Sequence, residues 1–168
     1  MQGAEGFLEL AGIAGVFVGF GALIAVRSGG ASDAFEVVHM RFVVWLGMLT
    51  VVAALAPVTL GPYGLDEHLV WVLSSLIVVA IYFGMGIVNV RMPELTAGAL
   101  SDRRREVREA AVSLVIAVPV AVAIIVILLG LRPDLDAALY RTILVLLLVG
   151  AGETLLELVY SQRRPASA

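Results

Sequence analysis

Five long apolar stretches dominate this chain of 168 residues. Each has close to the ~20 residues that a helix needs to cross the ~30 Å hydrocarbon core of a bilayer. Because backbone polar groups in lipid must be hydrogen-bonded within the protein, such runs are expected to span as helices. The sequence therefore predicts an all-α fold, a transmembrane bundle of five helices in one domain covering residues 1–168. The predicted helices cover residues 7–26, 38–60, 69–90, 108–131 and 138–160.

The basic residues predict how these helices are oriented. The chain has 11 basic residues, all of them arginine, and short basic loops stay on the cytoplasmic side of a membrane. If the N-terminus lies outside, only Arg132 and Arg141 fall in outer segments. The arginines that then fall in cytoplasmic segments are Arg27, Arg41, Arg91, Arg103, Arg104, Arg105, Arg108, Arg163 and Arg164. We therefore expect the N-terminus outside and the C-terminus in the cytoplasm.

The composition fits a membrane domain and argues against several classes of function. The mean hydropathy is +1.02, and 61% of the residues are hydrophobic. Without cysteine there are no disulfides, iron–sulfur clusters or thiol catalysis, and without lysine there is no retinal Schiff base. A net charge of −3, with no aromatic-studded basic surface, gives no reason to expect nucleic-acid binding. The lack of Lys and Cys beside abundant Ala, Val, Leu, Arg and Gly is typical of a GC-rich bacterial genome.

No motif in the chain indicates catalysis or a cofactor. The two histidines, His39 and His68, are predicted near opposite sides of the membrane, so they cannot jointly hold a haem or a metal ion. Ser74 and Ser75 have no histidine or lysine base at their level, which argues against a serine nucleophile. We therefore expect no enzyme activity, no cofactor and no metal site.

Small residues in the first helix favour close packing against another helix. Gly15 and Gly19 form a GxxxG motif, and Gly12 lies one turn before them. Small side chains let two helix backbones approach closely in lipid. The pattern predicts packing inside this bundle, with dimerisation through the first helix as the alternative.

Polar residues in three helices recur at heptad spacing, so each set shares one helix face. Such faces are predicted to point into the bundle, because polar atoms that face lipid lack partners. The second-helix face comprises His39, Val43, Leu46, Thr50, Ala53 and Pro57; the third, Ser75, Val79, Tyr82, Gly86 and Asn89; the fifth, Gly150, Glu153, Glu157, Tyr160 and Arg164.

Helical rise counted from the cytoplasmic arginines places several polar groups at one depth, ~13–16 Å inside the membrane. Pro119 lacks an N–H, so the carbonyl of Val115 also needs another donor in this layer. The sequence therefore predicts a buried polar cluster here. Its predicted members are Thr50, Tyr82, Glu153, Thr154 and the Val115 carbonyl.

Glu153 is the main candidate for a functional residue. An acid at this depth costs ~2.5–3.5 kcal/mol on insertion scales, so a role is the default hypothesis. Glu153 either binds and releases a proton or cation, on a route lined by Tyr82, Thr50 and Asn89, or it ties the fifth helix to Tyr82 or to the Val115 carbonyl. Both interpretations fit the sequence.

Glu157 lies one turn nearer the cytoplasm than Glu153. At that level two arginines come from neighbouring helices. We therefore predict an ion pair between Glu157 and either Arg41 or Arg91.

The two outer hairpins share a pattern. Asp66 and Asp136 each precede a helix and are predicted to cap it. Trp71 and Tyr140 follow, and are predicted to act as aromatic anchors at the membrane interface.

Three segments carry a resemblance to a known group of proteins. They are FLELAGIAGVFVGFGALI at residues 7–24, AALAPVTLG at 53–61 and LVYSQ at 158–162. They resemble uncharacterised small bacterial multi-helix integral membrane proteins, a family with no assigned activity. The resemblance implies a location in the bacterial cytoplasmic (inner) membrane and brings no activity with it.

The leading interpretation of the sequence is a non-enzymatic accessory or assembly bundle in the lipid bilayer. Its partners would be a second copy, through the first helix, or another membrane protein. The alternative is a small oligomeric proton-linked channel or transporter that uses Glu153.

Overall fold

The computed structural model describes residues 4–27, 34–90 and 103–161. They form five α-helices: α1 (Ala4–Arg27), α2 (Ala34–Leu60), α3 (Glu67–Val90), α4 (Arg103–Leu128) and α5 (Asp136–Ser161). Short 3₁₀ turns at Gly61–Tyr63 and Pro133–Leu135 lie in the two hairpins. The predicted all-α fold of five helices is confirmed.

The helix boundaries extend beyond the apolar runs. α4 begins at Arg103, rather than near residue 108, because arginine and glutamate are themselves good helix formers. It ends at Leu128, rather than near residue 131, because Gly130 adopts a left-handed φ of 59° that stops the helix.

Four segments are long and apolar enough to cross a membrane. They are Glu5–Ile24, His39–Tyr63, Glu67–Met85 and Pro133–Glu157. α4 contributes a shorter apolar section, Ser113–Leu128. These segments are those of a membrane protein; the orientation of the termini stays a prediction from the arginines.

α2 and α5 form the central antiparallel pair. α1 packs on both of them, α3 packs mainly on α2, and α4 packs on α5 and α3. The start of α1 lies near both hairpins, since the Phe7 ring packs against Trp71 and Tyr140. We call this the hairpin end; it contains residues 61–66 and 129–135. The other end of the bundle, where Arg27, Ala34 and Ser161 lie, is called the opposite end.

The face predicted for α2 is confirmed. His39, Val43, Thr50, Ala53 and Pro57 are buried along it. Its sixth member, Leu46, is partly buried against the core. α2 therefore presents one continuous face to the bundle, from the opposite end to the hairpin end.

The face predicted for α3 is wrong beyond its first turns. Ser75 is buried and Val79 partly so, but the Tyr82 side chain is 54% exposed and packs edge-on against Phe83. α3 is apolar on all sides, so widely spaced polar residues do not fix its rotation. The buried side chains of α3 include Val70, Trp71, Ser74, Ser75, Val78 and Met85. The side chain of Asn89 lies outside the described residues.

The α5 prediction is confirmed only in part. Gly150, Glu153 and Glu157 are partly buried, whereas Tyr160 is exposed. Arg164 lies outside the described residues. The buried positions of α5 are Asp136, Tyr140, Ile143, Leu144, Leu147, Leu148 and Ala151.

The prediction that Gly12, Gly15 and Gly19 pack inside the bundle is wrong. All three are exposed, and a Cβ atom added to any of them would meet no atom within 4 Å. α1 instead turns its Ala14 face to α2, where Gly47 provides the close approach. The close helix–helix contact that the sequence pattern predicted for the glycines of α1 is therefore made by Gly47 of α2.

Gly47→Ala is expected to lower the free energy of unfolding by about 1–3 kcal/mol through overpacking. The added methyl would lie 2.5 Å from Val18 Cγ2 and 3.3 Å from the Ala14 carbonyl oxygen. Unfolding by SDS titration in mixed micelles measures the change. Gly84→Ala is the matched control, since no atom lies within 4 Å of its added Cβ. Equal effects of the two substitutions would contradict the proposed contact.

Candidate functional site

The buried polar cluster predicted at one depth does not assemble. The Thr50 hydroxyl donates to the Leu46 carbonyl at 2.8 Å, and the Thr154 hydroxyl donates to the Gly150 carbonyl at 2.8 Å. Both bonds stay within one helix, as helical threonines commonly do. Tyr82 and Val115 are exposed. The predicted cluster is therefore wrong: its hydroxyl groups bond to their own helices or point outward.

Glu153 is partly buried and stands apart from the groups predicted to surround it. In the described part of the chain, no hydrogen bond or ion pair satisfies its carboxylate. At this level of α5, Gly150 lies against Ile116 and Leu46, and Gly152 lies against Phe17. The tie to Tyr82 or to the Val115 carbonyl is not formed. Apolar side chains from three helices therefore pack against α5 within three residues of Glu153.

Glu157 lies beside His39 at the opposite end of the bundle. Glu157 Oε2 is 3.6 Å from His39 Nε2, and both side chains are largely buried. Arg41, one of the two predicted partners, follows two residues later on α2 and is partly buried. Arg91 lies outside the described residues. The sequence signal for His39 was its place at the start of the buried α2 face.

A second histidine–carboxylate pair lies at the hairpin end. His68 Nδ1 is 2.6 Å from Asp136 Oδ2. The Asp136 side chain is fully buried, whereas the His68 side chain is 34% exposed. The pair joins the start of α3 to the start of α5, with the carboxylate inside and the imidazole partly open to the surroundings.

The backbone of both hairpins positions this pair. The Asp66 carboxylate accepts a hydrogen bond from the His68 backbone N–H at 3.2 Å, which confirms Asp66 as a helix cap. In the other hairpin, Gly130 has a positive φ, and a Cβ there would lie 3.2 Å from His68 Nε2. Only glycine meets both demands easily, because it tolerates the left-handed backbone and leaves room for the ring.

Beneath the pair lies an aromatic cluster of Phe7, Trp71 and Tyr140. Their ring centroids are 5.6–6.2 Å apart, within the range of favourable ring contacts. Arg141 Cζ lies 5.2 Å from the Phe7 ring centroid, which is a cation–π geometry. Trp71 and Tyr140 are buried inside the bundle, and their place at the membrane interface stays a prediction. They join α1, α3 and α5 inside the bundle.

The Tyr140 hydroxyl corrects a backbone defect in α2. Pro57 lies inside that helix and has no N–H to donate to the carbonyl of Ala53, four residues earlier. Tyr140 donates to that carbonyl at 2.8 Å, and the Ser74 carbonyl oxygen is 3.5 Å away. Tyr140 on α5 therefore replaces the missing donor of α2.

Three buried polar atoms near this end have no hydrogen-bond partner among the described residues. They are Ser74 Oγ, Ser75 Oγ and Asp136 Oδ1. Buried polar groups normally bond to protein or to ordered water. The half of the bundle next to the hairpin end thus holds three fully buried polar atoms whose hydrogen bonds the described protein does not complete.

Sequence reasoning placed His68 and Asp136 on the same side of the membrane but did not pair them. The available signal was that both begin the returning helix of a hairpin. Pro57 also gave a signal, because the argument applied to Pro119 and Val115 holds equally for Pro57 and Ala53. The long-range partner, Tyr140, could not be identified from spacing within one helix.

The chain matches no protein-family model, no curated protein and no solved structure. In the described ranges, no group of three or more His, Cys, Asp or Glu side chains is placed to hold a metal ion. The site is therefore defined by its own geometry.

Tyr140→Phe is expected to lower the free energy of unfolding by about 1–3 kcal/mol, because it leaves the buried Ala53 carbonyl without a donor. Pro57→Ala would restore an N–H to α2. In the double variant the loss caused by Tyr140→Phe should therefore shrink. A double-mutant cycle of unfolding free energies in micelles measures this coupling. Strictly additive effects would show that Tyr140 does not replace the missing donor.

Proposed function

We propose that this chain is a non-enzymatic accessory or assembly bundle of the bacterial cytoplasmic membrane, with its N-terminus outside. It would act by binding another transmembrane helix through α1. The outward face of α1 is the observation that carries the proposal.

This face follows a strict helical stripe with steps of four and three residues. Its members are Leu8, Gly12, Gly15, Gly19 and Ala22, and all are exposed. Only 17% of the α1 span is buried in the bundle, compared with 33–44% of the other three spans. α1 packs on α2 with its Ala14 side and leaves this small-residue face uncovered, which suits close approach by a further helix. The partner would be a second copy or another membrane protein.

The chain has no cysteine, so single cysteines can test this face directly. We expect Gly15→Cys to form an oxidative cross-link in native membranes, because two helices that meet at this face bring the thiol next to the partner. Gly84→Cys on α3 is the matched control, since that glycine is equally open. Gel electrophoresis and mass spectrometry identify the product.

A homodimer band would support self-association, because each copy supplies one thiol of the disulfide. A heavier product with a defined second protein that has a cysteine at the contact would support the accessory role. A second substitution tests close approach: Gly19→Leu in the Gly15→Cys background should abolish the cross-link. Equal cross-linking from Gly15→Cys and Gly84→Cys, or no effect of Gly19→Leu, would contradict the proposal.

A second candidate function, a small oligomeric proton-linked channel or transporter, is favoured by the acids of α5. Histidine–carboxylate pairs lie at both ends of this helix, at Asp136 and at Glu157. The two acids are separated by ~32 Å of helical rise, close to the ~30 Å of hydrocarbon in a bilayer. Glu153 lies between them with no partner among the described residues. Such intramembrane acids are typical of proton pathways.

Proton flux into liposomes tests this candidate. Wild-type protein is expected to dissipate an imposed pH gradient, and Glu153→Gln is expected to abolish the flux, because the amide cannot exchange a proton. Glu5→Gln, at an exposed glutamate of α1, is the control and should leave the flux unchanged. Absence of flux in the folded wild-type protein would exclude this second candidate and leave the accessory role.

A further inference from the structure

The His68–Asp136 pair has the chemistry of a proton-exchange site. At 2.6 Å, a hydrogen must lie between Nδ1 and Oδ2, since two bare lone pairs would repel each other. Imidazole can take a proton on one nitrogen and release another from the second. The pair therefore combines a proton donor with a carboxylate that can receive the proton.

Exposure gives the pair a direction. The imidazole is partly exposed and the carboxylate is fully buried, so a proton that reaches His68 from outside passes to Asp136 inside. The nearby charged groups are Asp66, which binds the His68 backbone, and the Arg132–Asp134 pair of the second hairpin. The side chains of Arg132 and Asp134 are largely exposed. Neither therefore covers the side of the Asp136 carboxylate that faces the bundle interior.

We propose that His68 and Asp136 form the proton entry site at the hairpin end, a proposal that rests on the second candidate function above. His68 Nε2 takes a proton from hydronium and releases water. The Nδ1–H bond then breaks as its proton moves to Asp136 Oδ2. The products are the other neutral tautomer of His68 and a neutral Asp136 carboxylic acid, so one positive charge enters and the Asp136 charge disappears.

The next groups inward are oxygen atoms that the described protein does not satisfy. Asp136 Oδ1, Ser74 Oγ and Ser75 Oγ are buried without a protein partner. Ordered water binds such groups, and a hydrated chain of them carries the proton away from Asp136. Tyr140 lies one turn beyond Asp136 on α5, and its hydroxyl is held by the Ala53 carbonyl.

A structural role for the same pair makes different demands. A clip between two hairpins needs only a hydrogen-bond acceptor opposite His68 Nδ1. Asp136→Asn keeps such an acceptor, with nearly the same volume, but cannot take up a proton. The exposed Asp134, two residues earlier in the same hairpin, provides the matched control Asp134→Asn.

The experiment compares proton flux into liposomes for wild type, Asp136→Asn, His68→Gln, Asp134→Asn and Glu153→Gln. We expect Asp136→Asn and His68→Gln to reduce flux to the level of protein-free vesicles, and Asp134→Asn to retain wild-type flux. Thermal unfolding of each variant in detergent separates loss of flux from loss of fold. Should Asp136→Asn not fold, His68→Gln alone decides the outcome.

Histidine-selective ¹⁵N labelling gives a second readout that does not depend on flux. The chain has two histidines, so His39→Gln assigns the His68 signals. We expect both His68 nitrogens to exchange between protonated and bare forms, and Asp136→Asn to leave one fixed tautomer.

The outcomes distinguish the entry site from the route. Wild-type flux that survives Asp136→Asn but disappears in Glu153→Gln would overturn the entry site and retain the proton route. No flux in wild type would overturn both. A fixed His68 tautomer in wild type, the same as in Asp136→Asn, would identify the pair as a structural clip.

Discussion

Pro57 removes one backbone N–H from α2, and Tyr140 supplies the replacement from α5. In a bilayer this matters more than in water, because lipid offers no donor to a bare carbonyl. The hydroxyl can reach Ala53 only when α2 and α5 lie at one distance and one rotation. Phe7 and Trp71 pack on the same tyrosine ring. The hydrogen bond between Tyr140 and Ala53 therefore also fixes where α1 and α3 pack. One compensated defect thus orients four helices at the hairpin end.

The acids of α5 divide into two kinds. Asp136 and Glu157 lie beside histidines at the ends of the helix, and the Asp136 carboxylate is hydrogen-bonded to His68, which reduces the cost of burying it. Glu153 has no such partner among the described residues, and two glycines near it on α5, Gly150 and Gly152, pack against apolar side chains of other helices. A role in stability and a role in proton exchange both fit the two acids that lie beside histidines. An acid without a partner does not stabilise the packing of the bundle. Glu153 is therefore retained as the proton-binding residue of the second candidate function.

The sequence predicted the five helices and the buried face of α2, because apolar length and heptad spacing act within a single segment. It failed where rotation depends on a neighbour. α3 is apolar all round, so Tyr82 gave a false signal, whereas the buried face is set by Trp71 in the aromatic cluster. For α1, GxxxG indicated a close contact, but the contact in the bundle is made by Gly47 of α2. The His68–Asp136 pair could not be predicted in the same way. It depends on how the two hairpins lie side by side, and residue spacing within one helix carries no information about that.

The contact between Phe7 and Tyr140 also bears on how the protein is made. α1 precedes α5 in the chain, so α1 leaves the ribosome before α5. Until α5 enters the membrane, Phe7 lacks its tyrosine neighbour and Ala53 lacks its hydroxyl donor. Insertion of the earlier helices therefore yields an intermediate that is open at the hairpin end, in which α1 is held by its packing on α2. Insertion of α5 then brings the Tyr140 hydroxyl to the Ala53 carbonyl and closes the bundle at the hairpin end.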